Sequence, residues 1–189
     1  MPGTAPDPAT ERAMTRQIAH PLRVADLPGD RPTRFALAPD AAARAAIADF
    51  IGAEKLRKLR FEGELRPAGD GDWELEAMLG ATVVQPCVVS LAPVTTRIDE
   101  KVRRRYVREM PELKGEEAEM PEDETLDPLG EVIDPAAVMV EALALALPPF
   151  PRADDVPPGE AAAAPPGAEP LRDEDLRPFA GLRDKLKGD

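Results

Sequence analysis

Apolar and polar residues alternate through much of the first 109 positions. Leu59, Phe61 and Leu65 are interleaved with Lys58, Arg60, Glu62 and Glu64. After the turn signal Gly69-Asp70-Gly71-Asp72, the residues Trp73, Leu75, Ala77, Leu79, Ala81 and Val83 fall on one face. A turn near Ser90 to Pro93 leads into Val94, Thr96, Ile98, Val102 and Tyr106, again with period two. Arg16 to Val24 and Thr33 to Ala38 are shorter strand candidates, joined through Leu27-Pro28-Gly29-Asp30. Alternation broken by turns predicts an antiparallel meander with one apolar face. One interruption reads as a helix. Pro39-Asp40 opens it, with Asp40 able to cap; Ile47, Phe50 and Ile51 give it an apolar face, and Gly52 ends it.

The pattern changes at Met110. The insert up to Asp127 holds Glu112, Glu116, Glu117, Glu119, Glu122, Asp123, Glu124 and Asp127 against Lys114 alone. Such a run repels itself and has little to bury, which predicts a flexible acidic loop. Asp134-Pro135 then offers an N-cap followed by Pro at the first helical position. Ala136 to Leu147 is apolar nearly all round, with Glu141 its one charge. At about 18 Å, a helix of that length is too short to cross a bilayer. It docks on the open face of the sheet or is offered to a partner's groove. From Pro148 to Pro170, prolines interleaved with Ala and acids read as a linker. In the closing run Arg177 to Lys187, Phe179, Leu182 and Leu186 recur at i, i+3 and i+7. This is a short basic amphipathic tail, either a helical turn without a role or a linear binding motif.

Together these runs predict an α+β chain. Its expected architecture is an antiparallel meander or partly open barrel, with a helix after the second strand and a second apolar helix packed on it. The expected organisation is a disordered N-terminus over 1–15 and a single domain over 16–147 with the flexible insert 110–127. A Pro/Ala-rich linker over 148–176 and the tail over 177–189 follow. Of the 41 Leu, Ile, Val and Phe residues, 24 lie in 16–109 and 9 in 126–147. The other segments hold too few to offset the entropy of ordering them.

Composition narrows the chemistry. A single cysteine, Cys87, rules out a disulfide framework within the chain and a cysteine-cluster zinc site. A single histidine, His20, rules out His-rich metal sites. A cysteine protease would need Cys87 and His20 brought together from a strand-like run and a His-Pro turn. The carboxylates crowd into the acidic insert, where flexibility denies the fixed geometry of acid–base catalysis. Leu129-Gly130-Glu131 lacks the Lys and Ser/Thr of a phosphate loop. The chain is therefore expected not to be an enzyme, and to hold no metal or cofactor. No run of 18 apolar residues is present, and Met1 to Glu11 lacks the basic start and apolar core of a signal peptide. A cytoplasmic location is expected, without membrane contact.

The formal charge of −12 is unevenly spread. Residues 1–109 carry 17 basic and 16 acidic groups, whereas residues 110–189 carry 7 and 20. Basic residues bunch at Lys55 to Arg60, including Arg57, Lys58 and Arg60, and again at Lys101 to Arg108. In the second bunch alternation sets Lys101, Arg103 and Arg105 opposite Val102 and Tyr106. A cationic stripe on a solvated strand face suits phosphate contacts, whose affinity falls steeply with salt. The competing reading is a solvated face neutralised by the acidic insert. Candidate RNA contacts are Arg57, Lys58, Arg60, Lys101, Arg103, Arg104, Arg105 and Arg108. Candidate partner contacts are Glu116, Glu117 and Glu119 in the insert, with Phe179 and Leu182 in the tail.

Three stretches resemble a known family. Pro86-Cys87-Val88-Val89-Ser90-Leu91-Ala92-Pro93-Val94 is similar to a C-x-R-C-L-x-P-V signature. Ile133-Asp134, followed by Glu141-Ala142-Leu143-Ala144-Leu145-Ala146-Leu147-Pro148-Pro149-Phe150-Pro151, resembles an I-D helix ending in L-x-L-P-x-x-P after an acidic loop. Arg177-Pro178-Phe179-Ala180-Gly181-Leu182 resembles a closing N-P-F-A-x-L. In this order they resemble the YceD proteins, the large ribosomal RNA subunit accumulation proteins. The resemblance implies a role in producing or stabilising large-subunit rRNA. The expected partners are that rRNA, a basic large-subunit ribosomal protein, or both; the alternative is an acidic chaperone or docking module for such a protein, without RNA contact. Many relatives carry a cysteine pair before the acidic loop and another cysteine after the last Pro. Here Ser90 stands at the second cysteine position and Arg152 follows Pro151, so any metal site of the cysteine-rich members is expected to be lost.

Overall fold

In the computed structural model, residues 18–109 and 126–155 are described. All the elements belong to the unit that runs to Ala153. In chain order they are β1 (Leu22–Arg23), a 3-10 turn (Val24–Asp26), β2 (Thr33–Leu37), α1 (Ala41–Phe50), β3 (Lys55–Pro67) and β4 (Trp73–Pro86). Then follow β5 (Pro93–Val107), β6 (Leu126–Pro128), β7 (Val132–Ile133) and α2 (Pro135–Ala146). Strands β2, β3, β4 and β5 form the antiparallel meander read from the sequence. The sheet does not close into a barrel. Instead β6 adds to the free edge of β5 in the parallel sense, with Arg105 opposite Leu126.

One face of the sheet and one stripe of each helix make the core. Leu59, Phe61, Leu65, Leu75, Leu79, Val83 and Ile98 lie on that face, and Ile47, Val138, Met139 and Leu143 cover it from the helices. No polar or charged residue is buried among the described residues. Each large aliphatic side chain removed from water here contributes about 1.5–3 kcal/mol. Phe35 and Phe61 meet across β2 and β3 with ring centroids 5.6 Å apart. The apolar helix α2 thus packs at home rather than on a partner. Its Asp134 cap accepts from the Ala136 N–H at 2.9 Å. In α1 the Asp40 carboxylate accepts from the Ala43 N–H at 2.8 Å, and Gly52, at φ +69°, turns the chain out of the helix.

The edges differ from the pattern reading. Of the Arg16–Val24 strand candidate, only Leu22–Arg23 is strand among the described residues, paired with β7, before the chain coils into the 3-10 turn. The turn after β4 is a tight loop beginning at Cys87, where the Leu91 N–H donates to the Cys87 carbonyl at 3.0 Å and Leu91 takes φ 59°. The acidic segment ends earlier than Asp127, since Leu126–Pro128 is already strand. The rest of that insert, the N-terminal segment, the linker beyond Asp155 and the tail lie outside the described residues.

Candidate functional site

The outer face of the sheet is polar, and its charges fall in cross-strand rows set by the register. Arg66, Glu74 and Arg105 share one row, and Glu64, Glu76 and Arg103 the next. Lys101 lies beside Met78. Glu76 is the hub of this end. Its carboxylate lies 2.8 Å from Arg66, 2.9 Å from Arg103 and 3.7 Å from Lys101. Burial would raise its pKa, but Lys101, Arg66 and Arg103 together hold it below the usual carboxylate range. Arg105 lies 3.4 Å from Asp72.

The predicted stripe of Lys101, Arg103 and Arg105 therefore exists on the solvated face, as alternation requires. Each of its cations faces a carboxylate supplied by β4 or by the turn before it. Exposed pairs of this kind add little stability, about 0–1 kcal/mol, but they reduce the field available to an anion. Arg104 departs from the stripe. It points to the opposite face, with its side chain 17% exposed, 2.7 Å from Glu141 of α2 and 3.8 Å from Asp127 of β6. There it ties helix and edge strand to the sheet, and burial beside these charges pushes the neighbouring Tyr106 hydroxyl up to about 12. Arg108 is exposed, and its backbone N–H donates to Asp72 at 3.1 Å.

The other basic bunch sits at the far end of the sheet. Leu56 pairs with Val83 and Lys58 with Thr82, leaving Arg57 as the extra residue of a β-bulge. The bulge turns both Arg57 and Lys58 outward between two buried leucines, Leu56 and Leu59. Lys55, Arg57 and Lys58 have no ion-pair partner among the described residues. Arg60 is paired with Glu62. Across β4, Arg97 Nε donates to Asp99 at 2.7 Å, and its Nη2 donates to the second carboxylate oxygen.

Beta strand β2 stops at Leu37, short of this end, and α1 begins beside the uncovered edge of β3. A groove of about 740 Å³ results, lined by Pro39 and Arg44 on the helix side and by Arg57, Lys58, Gly80 and Arg97 on the sheet side. Arg44 folds back so that its Nη1 donates to the Pro39 carbonyl at 2.7 Å. Its Nε is shielded from solvent and has no partner among the described residues. Sequence reading singled out Arg57, Lys58 and Arg60 but missed Arg44, Gly80 and Arg97. The available signals were weak: Arg44 is the first charge in an alanine-rich helix, and Arg97 precedes Asp99 by one face-repeat of a strand.

The Cys87 loop and the segment after α2 meet around the Cys87 sulfur. Cys87 is fully buried, and its sulfur accepts from the Ser90 N–H at 3.5 Å and the Ala153 N–H at 3.4 Å. The Val88 N–H donates to the Pro151 carbonyl at 2.9 Å, so the segment after α2 is stitched to this loop. Hydrogen bonds from Ser90, and then from the Ala153 and Val89 backbones, hold the thiol at about 6 against the burial that would raise it. One thiol beside a hydroxyl and Arg152 does not make a zinc donor set. The residues present do not fit a metal. Glu116, Glu117, Glu119, Phe179 and Leu182 lie outside the described residues.

Comparison of the chain with curated proteins returned no match, and neither did comparison with solved structures. A family model described as "Large ribosomal RNA subunit accumulation protein YceD" matches residues 75–186. That span runs from β4 through the stitched Cys87 loop, β5 and α2 to the end of the closing amphipathic run, and takes in all three stretches quoted from the sequence. The chain belongs to the YceD family of large ribosomal RNA subunit accumulation proteins.

Proposed function

We propose that this protein supports the accumulation of large-subunit (23S) rRNA by contacting that RNA directly, as a non-catalytic factor in the cytoplasm. The observation that carries the reading is the uneven pairing of charge on the outer face. At one end, Lys101, Arg103 and Arg105 are held by Glu76 and Asp72. At the other, Lys55, Arg57 and Lys58 face solvent without a carboxylate partner among the described residues. Unpaired cations on a rigid strand are what a phosphate backbone recruits, because neutralising each phosphate releases condensed counterions. In a chain of net charge −12, such a patch also sets the orientation of approach, since the excess acid elsewhere in the chain repels RNA.

Ultraviolet crosslinking in cells that carry the tagged protein, followed by sequencing of the attached RNA, tests the reading. Large-subunit rRNA fragments should be enriched over a tag-only control. Capture of a basic ribosomal protein with no enrichment of RNA would replace direct contact by a chaperone role of the acidic half.

A further inference from the structure

We propose that the groove between α1 and the Lys58–Arg97 end of the sheet is the phosphate-holding site, taking the sugar–phosphate backbone of a polynucleotide strand rather than its bases. This deepens the RNA reading and rests on it. Five cations line the groove: Arg44, Arg57, Lys58, Arg60 and Arg97. Three carboxylates share it: Asp40, Glu62 and Asp99. Two of these are engaged by cations of the groove itself, Glu62 by Arg60 and Asp99 by Arg97. The Asp40 carboxylate is occupied by the α1 cap. What remains is Arg44, Arg57 and Lys58 against the one capping carboxylate, a net excess of two positive charges converging from a helix and from a bulge on one concavity.

Two further observations point to a ligand. The Arg44 Nε is covered, an N–H without an acceptor among the described residues. Gly80 keeps the lining low between the two charged walls; a Cβ there would come within 3.1 Å of the Arg97 guanidinium. At about 740 Å³ the groove is within the range of ligand pockets, room for a short run of backbone. No aromatic side chain lines it, so base stacking, the usual sequence-tolerant grip on single strands, is not available there. The backbone phosphates are the group that the arginines fit, since a guanidinium fork matches phosphate oxygens in pairs.

The test is fluorescence anisotropy of the full chain with a labelled oligouridylate of about ten nucleotides, titrated across salt. The variants are R57Q/K58Q, Gly80→Thr and, at the opposite end, K101Q/R103Q, each checked for an unchanged melting temperature. R57Q/K58Q should lower affinity about tenfold and flatten the salt slope by about 1.4, two single-strand phosphates' worth. Gly80→Thr should weaken binding with the charge unchanged, and Gly80→Ala serves in its place if the threonine variant melts early. K101Q/R103Q should retain the wild-type slope, and an unlabelled abasic strand of the same length should compete. Loss confined to K101Q/R103Q, or equal loss in every variant, would overturn the groove while leaving RNA contact standing. Failure of the abasic strand to compete would overturn the phosphate assignment. Absence of salt-dependent binding by the wild type would overturn both the groove and the direct-contact reading.

Discussion

Cys87 is a lone thiol built into the junction of two segments. Its sulfur is buried where the β4–β5 loop meets the segment after α2, and backbone N–H groups from both are aimed at it. Donors of this kind favour the thiolate, which is why the pKa falls from 9.0 to about 6. The sign of the pH dependence follows. A group whose pKa is lower in the fold stabilises it fully above the unfolded value and loses that contribution as the pH falls through the folded value. The difference in melting temperature between the wild type and Cys87→Ala, measured under reducing conditions, should therefore widen from below pH 6 up to pH 9. A difference that stays constant over that range would contradict the thiolate. The residues of the groove were less legible in the sequence than this loop. Arg57 and Lys58 stood out as a basic run, but Arg44 and Arg97 join them only through tertiary packing that no local spacing encodes.

At the scale of elements, the long strands were readable because each is buried on one face, so its apolar residues must recur at every second position. The Leu56-Arg57-Lys58-Leu59 spacing breaks that rule, and the break is the bulge. Strands β1, β6 and β7 have two or three residues each, too few to carry a period, and their pairings were missed. Capped α1 and α2 were readable from Asp40 and from Asp134-Pro135. Where strands β3 and β4 come together, Gly63 permits the approach: a Cβ on it would lie 2.6 Å from the Ala77 Cα and would also strike the Glu76 carbonyl. Backbone cannot yield as a side-chain tip can. Gly63→Ala should destabilise the protein by at least the about 1–3 kcal/mol typical of overpacking, read as a lowered midpoint in urea. An unchanged midpoint would show that the strands separate freely at this row.

For the whole molecule, the net charge of −12 is an average over unlike parts: a first portion that is close to neutral and a second that carries the excess acid. Sequence reading found that segregation. It could not say which cations in the first portion are engaged, because pairing depends on cross-strand register. The register assigns Glu76 to the Lys101–Arg103 end and leaves Lys55, Arg57 and Lys58 unpaired among the described residues, so the two basic runs, similar on paper, differ in available field. The central claim is that the open end serves rRNA accumulation. Its most direct measurement is the ratio of large-subunit to small-subunit rRNA in cells lacking the gene, complemented with the wild type or with R57E/K58E expressed at equal levels. The wild type should restore the ratio and R57E/K58E should not; full restoration by R57E/K58E would contradict the account.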